Sequence, residues 1–203
     1  SEIIRHGTGP TDYWWEVTEK NGNVSYYGAT PDSPSVDPNS TVLTDDNGNI
    51  FRWQLMETWD TFGNFVRYEY TRQDDTGTAG GKVGRQVYLS RVSYAGYKGV
   101  EGKYSVELSR DRQLNEPRRN DVIVEGRGGF KQVTADLLKN VTVKSGTETV
   151  RSYQLNYRTG QFNKTLLSEI VVKAADGSHF NTHSFDYHDE VATENSSVLG
   201  GVG

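Results

Sequence analysis

Three histidines, His179, His183 and His188, sit near the C-terminus at spacings that invite a metal reading, since neutral imidazole is the commonest metal ligand. On an extended strand His179 and His183 would stand about 13 Å apart at roughly 3.3 Å per residue, and His188 would fall on the opposite face. The pattern therefore reads as a polar edge strand. Asp45-Asp46-Asn47-Gly48-Asn49 echoes a calcium loop, but its glycine comes too early and Met56 stands where the bidentate glutamate belongs, so a hairpin turn explains it better. Glu16, Asp60, Glu107 and Asp111 could be paired on paper as glycosidase carboxylates, yet any β protein with 27 acidic residues offers such pairs. There is no G-x-S-x-G elbow, no phosphate-cradling P-loop and no dinucleotide fingerprint, and Gly126-Arg127-Gly128-Gly129 lacks a following helix and reads as a turn. No catalytic residue, metal or cofactor is assigned.

Two groups remain as a candidate binding or interdomain surface. Trp14 and Trp15 are adjacent, so on a strand one of them faces away from the core unless both sides are covered. The outward ring would be either a platform for stacking on a sugar or a surface covered by another part of the protein. Arg110 and Asp111, with Arg118 and Arg119, form the densest charge cluster: a salt-bridged loop, or a docking patch for a neighbouring domain.

The elements that must position these groups announce themselves by a recurring turn. Asn21-Gly22-Asn23 precedes Tyr26-Tyr27, Asn47-Gly48-Asn49 precedes Phe51 and Trp53, Asp60 to Asn64 precedes Tyr68-Glu69-Tyr70, and Asp176-Gly177 precedes Phe185-Asp186-Tyr187. Glycine and asparagine accept the positive φ of a tight two-residue turn, while aromatic and β-branched residues favour strands, so each copy predicts a β-hairpin. Strands are expected at 13–18 and 23–27, and at 50–59 paired with 64–70. The proline-bearing stretch 30–40 is a surface connection, and 73–84, rich in Gly and Asp, is expected to be the most mobile internal segment. Leu138-x-x-Val141-x-Val143 returns as Leu167-x-x-Ile170-x-Val172, and Leu155-Asn156-Tyr157 returns as Phe185-Asp186-Tyr187, with Leu89-x-x-Val92-x-Tyr94 a looser copy. Repeats of this kind bury their aromatic rows by stacking on neighbours. Only 134–140 could form a short helical turn. The fold class expected is all-β: an antiparallel hairpin meander forming packed, sandwich-like sheets with little helix.

Composition agrees. Of 203 residues 33% are apolar and 22 are glycine, close to the globular norm, and 12 Tyr and 4 Trp against one Met suit pleated surfaces. A net charge of −5 lacks the electrostatic footprint of a nucleic-acid binder. The absence of cysteine removes disulfides, thiolate metal sites and cysteine nucleophiles, and tolerates either redox compartment. No apolar run is long enough for a membrane helix, and the N-terminus lacks a signal-peptide layout. Residues 1–190 are expected to form one β domain and 191–203 a linker tail.

The order of these motifs resembles a known family. Trp15-x-Val17, Gly22 and Tyr27-Gly28 within the run from Trp14 to Gly28, then Trp53-x-Leu55, Asp60-x-x-Gly63-Asn64, Tyr68-x-Tyr70, Leu89-x-x-Val92-x-Tyr94, Arg110-Asp111, Gly129-Phe130, Leu138-x-x-Val141-x-Val143, Tyr153-x-Leu155-x-Tyr157 and Phe185-x-Tyr187 are similar to the N-terminal region of the Salmonella virulence plasmid B protein family. The same region opens the B components of insecticidal toxin complexes, which continue into Rhs/YD-repeat shells. The resemblance implies a non-catalytic structural segment of a large secreted or cell-surface bacterial protein, contributing to the shell that houses or delivers a toxic effector. Its partners would be other domains of the same polypeptide and toxin-complex subunits, with no nucleic acid and no membrane in this segment. The alternative is a carbohydrate-binding or adhesin-like β module, for which glycan would be the partner, and a hydrolase ranks third.

Overall fold

A computed structural model describes residues 1–78 and 80–187. The strands are β1 (Glu2–His6), β2 (Trp14–Thr18), β3 (Val24–Tyr27), β4 (Val42–Thr44), β5 (Ile50–Trp53), β6 (Leu55–Trp59), β7 (Asn64–Asp75), β8 (Gly84–Tyr97), β9 (Tyr104–Arg110), β10 (Ile123–Glu125), β11 (Gln132–Thr134), β12 (Leu138–Ser145), β13 (Glu148–Thr159), β14 (Thr165–Lys173) and β15 (His179–Ser184). One helical turn, α1 (Asp111–Leu114), follows β9. Among the described residues a 13-stranded sheet runs β1-β2-β3-β6-β7-β8-β9-β12-β13-β14-β15, with the β10–β11 hairpin attached to β8, and β4–β5 form a small second sheet. Every neighbouring pair along the main path is antiparallel; the one parallel contact is the single bridge between β11 and β8.

The recurring turn has one geometry. In Glu19–Asn23, Asp45–Asn49, Asp60–Asn64 and Ala174–Ser178, the first residue donates its N–H to the fifth carbonyl and the fourth donates to the first carbonyl. The fourth residue is Gly22, Gly48, Gly63 or Gly177, with φ between +83° and +88°. These are three-residue loops closed by a glycine bulge, not the two-residue turns expected from sequence. The extra residue is stabilised by a side chain. The Asp45 carboxylate accepts from the N–H of Asn47 and of Asn49 at 2.8 Å each, and Asp60 repeats this toward Phe62 and Asn64 at 2.9 and 2.8 Å.

The leucine-led repeat also acquires a structural meaning. The pairing register slips at Ser90 between β7 and β8, at Lys139 between β9 and β12, and at Ser168 between β13 and β14, in each case the residue after the repeat leucine. The carbonyl of that leucine is then capped from a neighbouring strand or just beyond one: Leu89 O by Arg110 Nη1 at 2.8 Å, Leu138 O by the Tyr157 hydroxyl at 2.7 Å, and Leu167 O by the Tyr187 hydroxyl at 2.9 Å. Ser90 and Ser168 donate their hydroxyls across the bulge to Glu69 O and Asn156 O at 3.0 Å. A bulge leaves backbone groups without ladder partners and increases twist; here side chains from the adjoining segment satisfy them.

Register also separates the two faces. Leu108, Val141, Tyr153 and Val172 lie in one cross-strand row, and Leu155 opposes Ile170. The opposite face carries Arg91, Glu107, Thr142, Ser152 and Lys173 in a row, flanked by Ser109, Asn140 and Gln154. Directly opposed residues share a face, so one side of β9–β14 is apolar and the other polar. The second layer is small. Val42 and Leu43 of β4 are fully buried, and Leu43, Val87 and Phe130 form the compact core with Tyr70 packed against them. Most of the apolar row beyond β8 is only half-buried.

Two local expectations change, and the stretch 73–84 gains a strand boundary. The strand expected over 50–59 breaks at Gln54, whose N–H donates to Thr41 O and whose carbonyl accepts from Gly28, so β5 joins the small sheet and β6 the large one. The segment 134–140 is not helical but holds the end of β11 and the start of β12; the helical turn lies at Asp111–Leu114 instead. The stretch 73–84 is strand as far as Asp75, and Lys131 Nζ ties the turn beyond it by donating to Thr76 O and Gly80 O at 2.7 and 2.8 Å. The boundary expected at residue 190 and the tail 191–203 lie outside the described residues, as does His188.

Candidate interaction site: a cationic cleft at the sheet rim

The charge cluster is built by the excursion between β9 and β12. Arg110, the last residue of β9, lies over the Tyr88 ring at 4.6 Å and caps Leu89, so its guanidinium is committed to the sheet, and burial lowers its pKa. Asp111 is fully buried. Its backbone N–H donates to Leu137 O at 3.0 Å, its Oδ1 accepts from Leu137 N at 3.1 Å, and its carbonyl accepts from Glu116 N at 2.9 Å, while Oδ2 has no partner. Asp111 thus pins both ends of the excursion rather than facing a ligand. Asn115, in the left-handed region at φ 54°, then turns the chain out of α1 toward Pro117.

Arg112 and Arg118 converge on Asp75 at 2.7 and 2.5 Å, and Arg112 also pairs with Asp136 at 2.9 Å. These hydrogen-bonded carboxylates, Asp136 foremost, hold the Arg112 guanidinium above its ordinary pKa. Arg119 donates to Asp121 at 3.0 Å, and Asp121 accepts from the N–H and hydroxyl of Thr165 at 3.1 and 2.5 Å. The Arg119 hydrogen bond, supported by Thr165, keeps the Asp121 carboxyl well below the usual range. The loop is thereby fastened to the start of β14.

Between this loop and the ends of β12, β13 and β14 lies a cleft of about 230 Å³ lined by Arg118, Arg119, Lys139 and Arg158, with Thr159 and Thr165. Lys139 pairs with Glu116 at 3.2 Å and lies over the Tyr157 ring at 5.4 Å, and burial raises the Tyr157 pKa. Arg158 lies over the Tyr187 ring at 5.5 Å and has no ion pair among the described residues. Sequence reasoning found Arg118 and Arg119 but missed Lys139 and Arg158, which are distant in sequence; each follows directly on a repeat residue, Leu138 or Tyr157. A larger depression of about 450 Å³ includes Asp46, Lys82 and Lys131, but Lys82 pairs with Asp46 and Lys131 is bound to carbonyls.

The tryptophans lie elsewhere, on β2 near the other edge of the sheet. Trp14 is 5% exposed, stacked on His6 at 3.8 Å and edge-on to Tyr26, and Trp15 meets Trp53 edge-on at 5.7 Å. Trp14 is therefore covered from within the chain, and Trp15 is partly covered by Trp53. Glu16 binds His6 at 3.2 Å, Glu107 binds Lys144 at 2.7 Å and Asp60 is consumed by its turn. His179 meets Thr182 at 2.9 Å and His183 lies by Asn181 on the exposed strand β15; among the described residues no group of His, Cys, Asp and Glu is placed to hold a metal. No described helix is long and apolar enough to cross a membrane.

Comparison with known proteins decides the lineage. The family model for the Salmonella virulence plasmid 65kDa B protein, SpvB, matches residues 2–116. The chain belongs to the SpvB family. The N-terminal domain of effector protein SpvB from Salmonella typhimurium strain LT2 aligns over 86% of this chain and 62% of its own, at 16% identity and a TM-score of 0.62. The crystal structure of TcdB2-TccC3-Cdc42 covers 88% of this chain at 18% identity and a TM-score of 0.61, and the Tc holotoxin pore of Photorhabdus luminescens covers 85% at the same identity and score. This chain spans only 10% of each of those two. Identities this low show a shared fold. No curated protein matches significantly. Lys139 and Arg158 lie beyond the SpvB-family match.

Proposed function

We propose that this chain is a non-catalytic wall segment of a large secreted bacterial toxin-complex protein, with residues 1–190 acting as one β domain that helps form the shell around a toxic effector. Other domains of the same polypeptide and toxin-complex subunits are its partners. The observation that carries the reading is the two-faced sheet: across β9–β14 one face is a row of Leu108, Val141, Tyr153 and Val172, the other is polar, and no second layer of comparable breadth lies over the apolar side among the described residues. Apart from buried Val172 these side chains are only half-buried, and an apolar sheet face of this breadth marks a surface made to be covered more fully. The SpvB-family membership and the TcdB2-TccC3 fold likeness support a toxin context.

The test compares this 203-residue chain with the longer gene product that contains it, using a dye that fluoresces on apolar surface. The isolated chain is expected to bind the dye, and the longer protein to bind several-fold less per copy of the domain. Equal dye binding by both would sink the scaffold reading, as would glycan binding abolished by Trp15→Ala in a protein that remains folded.

A further inference from the structure

We propose that the rim cleft captures a carboxylate side chain presented by another polypeptide segment, with Arg158 as the principal cation. Four basic side chains line the cleft and three are already answered. Arg118 and Arg112 together face Asp75 and Asp136, Arg119 faces Asp121, and Lys139 faces Glu116. Arg158 has no carboxylate partner among the described residues. Its guanidinium lies over the Tyr187 ring at 5.5 Å, a cation–π contact that leaves its charge without a carboxylate among the described residues. Beside it, the Thr159 hydroxyl accepts from the Asn120 amide at 3.4 Å and retains its own proton for donation. Both residues line the same cleft.

The charge count selects the ligand. One unanswered guanidinium matches a monoanion, and a planar fork of N–H donors matches a carboxylate through two parallel hydrogen bonds. A phosphate dianion would bring more charge than the cleft leaves unneutralised. A space of about 230 Å³ admits one side chain rather than a helix or strand. The inference rests on the scaffold reading in that the carboxylate comes from a neighbouring segment of the assembled protein.

The experiment uses the whole 203-residue chain, follows its arginine Nε–Hε and threonine signals by NMR, and titrates a blocked Gly-Glu-Gly-Glu-Gly peptide against the all-glutamine version and inorganic phosphate. The glutamate peptide is expected to move the Arg158 and Thr159 signals, and Arg158→Gln to weaken this by about tenfold or more, with Arg158→Lys recovering part of it. Phosphate at equal concentration is expected to leave those signals in place. The proposal is overturned if the glutamine peptide binds equally, if Arg158→Gln binds as well as the parent, if phosphate moves the same signals at lower concentration, or if nothing moves by about 10 mM peptide. Failure here leaves the dye comparison standing, whereas peptide binding with unchanged dye exposure in the longer protein would remove the scaffold reading and keep the cleft.

Discussion

Asp121 is the residue through which acid should act on this fold. Its carboxyl is held below the ordinary aspartate range by Arg119 and Thr165, so the unfolded chain takes up the proton at a higher pH than the native one. The stabilisation is therefore fully present above about pH 4, and is lost as pH falls from there through the depressed native value. Asp121→Asn leaves Arg119, a mostly buried cation, short of its partner and should cost about 1–3 kcal/mol at pH 7. Urea unfolding at pH 7 and pH 3 checks this: the gap between parent and variant should be smaller at pH 3 by about 1 kcal/mol, since the unfolded carboxyl is then largely protonated while the native one is still ionised, and a gap independent of pH contradicts it. Asp45 and Asp60 share the direction of shift, chiefly from the side-chain amides of Asn49 and Asn64, but both are solvent-facing turn residues and should matter less.

At the scale of elements, the bulge-and-cap unit explains why leucine and tyrosine recur together. The leucine carbonyl is capped at the bulge by a side chain from a neighbouring strand or just beyond it, a tyrosine hydroxyl at Leu138 and Leu167 and the Arg110 guanidinium at Leu89. Tyr157→Phe keeps the ring and deletes only the bond to Leu138 O, with an expected loss of about 1 kcal/mol and faster amide exchange at the start of β12. Tyr187→Phe should cost less, because Tyr187 is 41% exposed and water can reach Leu167 O. Denaturant midpoints for the two variants give the comparison directly, and equal losses would argue against the cap as the cause. The repeat itself was legible as a recurring order of Leu, Val or Ile, and aromatic positions. That it marks bulges was not, because a bulge is a mismatch between two strands and no single strand records it.

For the whole molecule, a sheet whose strands follow one another in chain order behaves as a nearly one-dimensional array, in which each strand is held mainly by its two neighbours. The compact core of Leu43, Val87 and Phe130 lies under β8, and among β12–β15 only Val172 is buried. Stability should be graded accordingly: native-state hydrogen exchange is expected to protect β7 and β8 most and β13–β15 least. Uniform protection across the sheet would mean that the two halves unfold as one unit. If the chain is a wall segment as proposed, coverage of the apolar face by its neighbours should raise protection at β13–β15 selectively.

Alternating and aromatic-rich runs, turn residues and the absence of cysteine were enough to fix an all-β antiparallel chain, its hairpin sites and its SpvB-like order, because those signals act over a few residues and survive without tertiary context. Local sequence could not place the strand break at Gln54 or the helical turn at Asp111, since both are decided by hydrogen bonds to distant partners, Thr41 for one and Leu137 for the other. The cleft is the clearest case. Arg118 and Arg119 stood out as a run, but the cleft-lining cation left without a carboxylate among the described residues is Arg158, and only folding shows which carboxylates are used up and by whom.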